Sequence, residues 1–233
     1  HYGWKLVMLS LNGFEIEALR LSLKVALWSV SLSLPVGFGV AWILARKHFP
    51  GKILLDGLVH LPLILPPVVI GYLLLVLLGR QGIIGKWLFD VFNISVAFTW
   101  RGAAISASVM AFPLMVRAIR LSLDAIDPKL ENIGRTLGAG PFLVFLTVTL
   151  PLAAPGIISG AILAFARSIG EFGATITFVS NIPGATQTLP LALYNLLQIP
   201  GGEQGALRLV ILSIILAASA LIASELLARR LKK

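Results

Sequence analysis

Long uninterrupted apolar runs, rather than alternation of apolar and polar positions, organise this chain. Val25–Ala45 is 21 residues without a charged side chain, and Gly57–Leu78 is 22 more with no Asp, Glu, Lys or Arg and a single His60. Leu209–Ala223 (LVILSIILAASALIA) extends to Leu227 with only Glu225 charged. Gly102–Val116 is shorter, but its helix can continue toward Ser122 with its arginines reaching an interface. A further run begins in Phe142–Ala166 and continues past Arg167. A bilayer core takes roughly 20 residues of helix, so the pattern predicts an all-α, polytopic membrane protein with five spans. A soluble bundle would need a polar face on most helices, and these segments supply none.

Breaks in the runs place the connections. The first helix is predicted from Glu17 to about Lys47, with Pro35, Gly37 and Gly39 in its middle, and HFPGK (48–52) turns the chain. In the second span Pro62, Pro66 and Pro67 remove three backbone donors, which is either a packed kink or a wall of a transport path. Pro113 is expected to interrupt the third span. Between these, IGKWLFDVF forms an interfacial helix with Trp87 and Phe92 toward lipid. After the fourth span, residues 180–205 are too punctuated to cross, and Leu189–Ile199 suits a re-entrant or surface helix. The whole chain, 1–233, reads as one transmembrane domain.

Charge refines the picture. Only 12% of residues are Asp, Glu, Lys or Arg, about half the share of a soluble domain. The net charge of +9 comes without a basic stripe interleaved with aromatics, so it points to anionic membrane lipid and not to nucleic acid. With the amino end out and the carboxyl end in, eleven of the nineteen Lys and Arg residues face the cytoplasm, four of them in the tail ARRLKK. No cleavable signal is expected in His1–Leu19, which contains Lys5, Glu15 and Glu17. Absence of cysteine excludes disulfides, thiolate metal sites and cysteine nucleophiles. No clustered His, Asp and Glu set suggests acid–base catalysis, so the chain is expected to be no enzyme. His60 suits packing or a backbone contact better than metal ligation.

The same orientation puts Glu131–Pro151, ENIGRTLGAGPFLVFLTVTLP, on the cytoplasmic side. Asp127-Pro128 favours a helix start, and Glu131 in an early turn suits the helix dipole. Gly134 and Gly138, four apart, share a helical face and suggest close approach of another surface. Gly140-Pro141 then turns the chain back. GRTLGAG (134–140) lacks a phosphate-loop ending and no strand can precede it, so it is no nucleotide site. From composition alone, 127–151 is either a plain interhelical connector or a docking element. Arg167 and Glu171, four apart within a span, are either a reciprocal pair or groups beside an anion path. Ser106, Ser108, Ser168, Thr175 and Thr177 are hydroxyls that an oxyanion path would use, although packed membrane helices carry them routinely.

Gly138, nine intervening residues, then Val148, Leu150 and Pro151 match the spacing of the E-A-A, three residues, G, nine residues, I-x-L-P signature. The segment thus resembles the coupling element of binding-protein-dependent ABC importer permeases. It departs in carrying Asn132, Ile133 and Gly134 at the E-A-A places, with Glu131 one position early. HLPLILPPVVIGYLLL (60–75), FPLMVRAIR (112–120), LAFARSIGEFGATITFVSNIPG (163–184) and LYNLLQIPGG (193–202) resemble the molybdate permeases of that family, with sulfate permeases as relatives. The resemblance implies a type I importer fold with a cytoplasmic coupling helix over 127–140, in a bacterial or archaeal cytoplasmic membrane. It implies as partners a second copy of the chain, two ABC ATPase subunits and an external molybdate-binding protein. No cofactor is expected on this chain, with ATP and Mg2+ held by the ATPase. Molybdate would be the cargo, with tungstate or sulfate and thiosulfate as the alternatives. A secondary carrier or channel is the reading from a different class, but neither inverted repeats nor a filter is visible. The resemblance points to Glu131, Arg135, Leu137 and Gly138 for ATPase coupling. The gate candidates are Pro62, Pro66, Pro67 and Pro113, and the anion-path candidates Arg167 and Glu171.

Overall fold

A computed structural model describes residues 12–231. Residues 1–11, where most of the expected signal-free stretch falls, and the tail residues Lys232 and Lys233 lie outside the described residues. Ten helices follow one another in the described chain, with no strand among them: α1 (Gly13–Arg46), α2 (Lys52–Ile64), α3 (Pro67–Leu78), α4 (Ile83–Phe92), α5 (Trp100–Asp124), α6 (Pro128–Thr136), α7 (Pro141–Ile169), α8 (Gly173–Val179), α9 (Leu189–Leu197) and α10 (Glu203–Leu231). Four of them, α1, α5, α7 and α10, are long and apolar enough to cross a membrane; α2 with α3, bent by 113° at the break, makes a fifth. The described helices thus supply four candidate spans, or the predicted five with the bent pair counted as one.

Helix α5 is the centre, with 67% of its apolar window buried against 17% for α10. It earns that place by small residues. Ala103, Ala104, Ala107 and Ala111 are buried along it, so α1 and α7 approach closely. On α7, Gly156 and Gly160 face Ser122, Ala118 and Met115 of α5, the small-residue packing through which membrane helices gain van der Waals contact. The two ends of the bundle are marked by polar contacts. At one, the Lys24 ammonium lies 3.8 Å from the Trp100 ring centre; at the other, Arg46 pairs with Glu131 and Arg120 with Asp56, each at 3.0 Å. Helices α2 and α3 together run from the second end to the first.

Four expectations are corrected. Helix α1 begins at Gly13 and not near Glu17, because Glu15 is usable inside it. That carboxylate accepts the Asn12 N–H at 3.0 Å and both Nε and Nη2 of Arg208 at 2.8 and 2.7 Å. Pro113 does not interrupt its span: α5 runs through it, held on most sides by neighbours. Pro62 likewise lies inside α2; the chain breaks at Leu65–Pro66, and Pro67 starts α3 as its first residue. A proline deletes one donor and bends a helix, but terminates it only where packing does not hold the next turn. Helix α6 stops at Thr136, short of 140, because Gly138 has φ +86°.

Candidate functional site

Two regions gather the predicted residues. The first lies mid-bundle, where two broken spans meet. Helix α7 ends at Ile169 and α8 begins at Gly173, so the fourth span is broken as the second is. Breaks at Leu65–Pro66 and Gly170–Phe172 face each other. A Cβ on Gly173 would lie 2.7 Å from Cβ of Pro67, and one on Gly71 would lie 2.5 Å from the Ala174 carbonyl oxygen. The structure thus brings Pro66 and Pro67 beside the Arg167–Glu171 segment, while Pro62 and Pro113 stay in continuous helix.

Arg167 Nη1 donates to Glu171 Oε2 at 2.7 Å, and the Ala174 N–H donates to Glu171 Oε1 at 2.9 Å. The Glu171 side chain is 2% exposed and that of Arg167 29%. One carboxylate therefore neutralises a cation and caps the start of α8, while the guanidinium keeps an exposed edge. The hydroxyls are occupied by the protein. Ser29 and Ser168 share a hydrogen bond of 2.8 Å, Ser106 and Thr175 one of 3.0 Å, Ser108 donates to the Ser29 and Ala104 carbonyls, and Thr177 donates to that of Gly173. The Ser29–Ser168, Ser106–Thr175 and Ser108–Ser29 bonds tie spans together, and the others stay within one helix. His60 Nδ1 sits 2.9 Å from the carbonyl oxygen of Asp56, four residues earlier.

The second region is α6 and its corner. Asp127 accepts the Lys129 N–H at 2.9 Å and Pro128 occupies the first helical position, the cap that the dipeptide predicts. At the other terminus the Ala139 N–H reaches the Gly134 carbonyl and the Gly138 N–H that of Arg135. This is the paired 6→1 and 5→2 closure that needs a left-handed residue. Gly138 and Gly134 therefore do not share a contact face. Gly134 packs within the protein, where a Cβ would meet Val144 at 3.1 Å, and Gly138 has open space around it.

Glu131 turns inward. Its Oε1 accepts from Arg46 Nη2 and Thr149 Oγ1, each at 3.0 Å, fastening α6 to α1 and α7. Arg135 and Leu137 are exposed, Leu137 at 83%. Leu130 and Ile133 are exposed too. At i, i+3 and i+7, Leu130 and Ile133 of the nine-residue α6 and Leu137 at its C-cap form an apolar stripe. Sequence reasoning had Leu137 alone; the helical spacing of the other two was the available signal. A cavity of about 530 Å³ separates α6 from the end of α1.

Residues 33–233 match the family described as binding-protein-dependent transport system inner membrane component. The chain belongs to that family. The transport component is 63% identical over 215 residues to the molybdenum transport system permease protein ModB of Escherichia coli (strain K12), covering 92% of this chain and 94% of that one. It is 58% identical to the ModB of Haemophilus influenzae, covering 94% and 96%. The sulfate transport system permease protein CysT of Escherichia coli (strain K12) is 39% identical over 80% of this chain and 66% of its own. Among solved structures, a bacterial ABC transporter involved in alginate import shares the fold at TM-score 0.74 and 17% identity, over 96% of this chain and 82% of that one. The MetNI methionine ABC transporter does so at 0.66 and 16%, over 94% of each.

Proposed function

We propose that this chain is the membrane-spanning subunit of an ATP-driven importer that carries molybdate inward across a bacterial cytoplasmic membrane. The observation that carries this reading is the 63% identity maintained over nearly the full length of a molybdenum permease. The sulfate permease named above stands at 39%. Two copies enclose the path, since five spans are few to surround a hydrated dianion and a two-fold axis supplies the other wall. An external binding protein delivers the anion. Two ATPase subunits bind ATP and Mg2+ and hydrolyse the nucleotide; this chain performs no chemistry.

Helix α6 faces the cytoplasm, with the amino end of the chain outside and the carboxyl end inside. Its stripe Leu130, Ile133 and Leu137 lodges in a groove of the ATPase, while Arg135, on the other side of the helix, lines the cavity toward the end of α1. The inward side, Glu131 with Arg46 and Thr149, transmits the closing motion to α1 and α7. Alternation between two exposures of the path is required, because a ligand of equal affinity for both states shifts neither. At the facing breaks, Pro66 and Pro67 with Gly173 form the constriction, and the exposed edge of Arg167 lends it positive potential. Glu171 limits that potential, so that the anion is released.

The test is a reconstituted complex of permease, ATPase and binding protein, loaded in turn with molybdate, tungstate and sulfate. ATPase stimulation and uptake with molybdate are expected to exceed those with sulfate. Uptake of sulfate with none of molybdate sinks the reading, and uptake without the ATPase sinks the ATP-driven class.

A further inference from the structure

The cavity beside α6 lies on the side of that helix turned away from the apolar stripe, and the transport reading leaves it without a task. Its walls hold Arg46, Lys47 and His48 from the end of α1, Arg135 from α6, and the start of α7 at Pro141. Glu131 is the one carboxylate among them, and it is already engaged by Arg46 and Thr149. Lys47 and Arg135 make no ion pair among the described residues. The guanidinium of Arg46 is not saturated either, since its Nε is buried without an acceptor. Helix α7 opens here with no side chain capping its first turn, so its unpaired amides add to the positive potential. The cavity has the chemistry of an anion site, since Arg and Lys side chains suit phosphate oxygens.

Its rim separates the two sources of such an anion. Trp42 lines the wall, with the Lys47 ammonium 5.4 Å from its ring centre, an aromatic–basic pairing suited to headgroup depth. Ile43, Phe142 and Leu146, neighbours of lining residues, are exposed. A free anion has no use for an apolar rim; a lipid does. We propose that this cavity holds the headgroup of an acidic phospholipid, its phosphate between Lys47, Arg135 and the start of α7, its acyl chains along Ile43, Phe142 and Leu146. Bound there, the lipid bridges the end of α1 to the corner that carries α6. The proposal holds whichever oxyanion is transported.

The experiment uses the complete complex with its ATPase, in nanodiscs of phosphatidylglycerol mixed with phosphatidylcholine, and counts retained lipid by native mass spectrometry. Preferential retention of phosphatidylglycerol is expected, weakened about 25-fold in the K47Q/R135Q double variant, since each of the two basic groups near a membrane surface counts for about a fivefold change. Equal retention by wild type and variant overturns the proposal. So does retention by the permease alone that vanishes in the complex, which would make the cavity part of the ATPase contact. In phosphatidylcholine discs, inorganic phosphate is titrated while hydrogen exchange of 128–136 is followed. Protection by phosphate equal to that given by phosphatidylglycerol overturns the lipid in favour of a free anion. Should the double variant fail to assemble, the wild type decides. Slower exchange of 128–136 in phosphatidylglycerol than in phosphatidylcholine supports the site, and identical exchange overturns it.

Discussion

The facing breaks and the α6 corner both turn on glycine, for opposite physical reasons. At the breaks, Gly71 and Gly173 have φ in the ordinary range, and what matters is the missing side chain: helix backbone and a proline ring occupy the space. At the corner, Gly138 has nothing within 4 Å of where a Cβ would stand, and what matters is its φ of +86°. One glycine is a packing requirement and the other a conformational one. Interior substitutions should therefore disturb the whole bundle, and corner substitutions should stay local.

The largest effect is expected from Arg167→Gln, which strands a nearly fully buried carboxylate. Losing one partner of a buried pair costs about 3–5 kcal/mol, read as a lower unfolding temperature in detergent. The R167Q/E171Q double variant should recover most of that stability. If it also recovers uptake, the pair is structural and Arg167 has no part in the path. Gly71→Leu should come next, at about 3 kcal/mol, because backbone of α8 blocks the new side chain. Unchanged stability there would mean that α3 and α8 do not meet as described. Gly138→Ala should cost about 1 kcal/mol, seen as faster hydrogen exchange confined to 134–140; spread of that change into α5 would break the contrast. Leu137→Ala should move stability by less than about 0.5 kcal/mol while weakening the ATPase by about tenfold. Equal affinity in that variant would remove the stripe from the interface.

Much of the architecture was legible because membrane helices announce themselves by length and apolarity, conditions that act locally. Five spans, the HFPGK turn, the α4 helix with Trp87, and the Asp127-Pro128 cap all follow from residues close in sequence. The Arg167–Glu171 pair was legible for the same reason, being one helical turn apart. What escaped depends on residues far apart. The start of α1 reads as Glu17 until Arg208, 193 positions on from Glu15, is seen holding that carboxylate inside the helix. Glu131 reads as a dipole-favoured coupling carboxylate until Arg46 and Thr149 are seen to close on it. Pro113 reads as a break, but the density of neighbours around α5 decides otherwise. The break before Gly173 had a signal, Gly170 and Gly173 around a lone carboxylate, that apolar content masked. At the corner, glycine spacing suggested a shared face because the spacing rule assumes the helix continues; Gly138 is where it ends.

One further feature governs how the corner and the bundle are phased. Residues Phe145–Thr149 of α7 form a widened π turn, closed by the Leu150 N–H on the Phe145 carbonyl, immediately before Pro151. Val144 and Thr149 both face α6, although a regular α ladder would set residues five apart at about 140° around the axis. The surplus residue is thus an angular offset: it lets α7 present one side to α6 and another to α5 without twisting either. Deleting a single residue within 145–149 would rotate the corner by about 100° relative to the bundle. Val144 would leave Gly134 and Thr149 would leave Glu131, while every residue of α6 itself stayed the same.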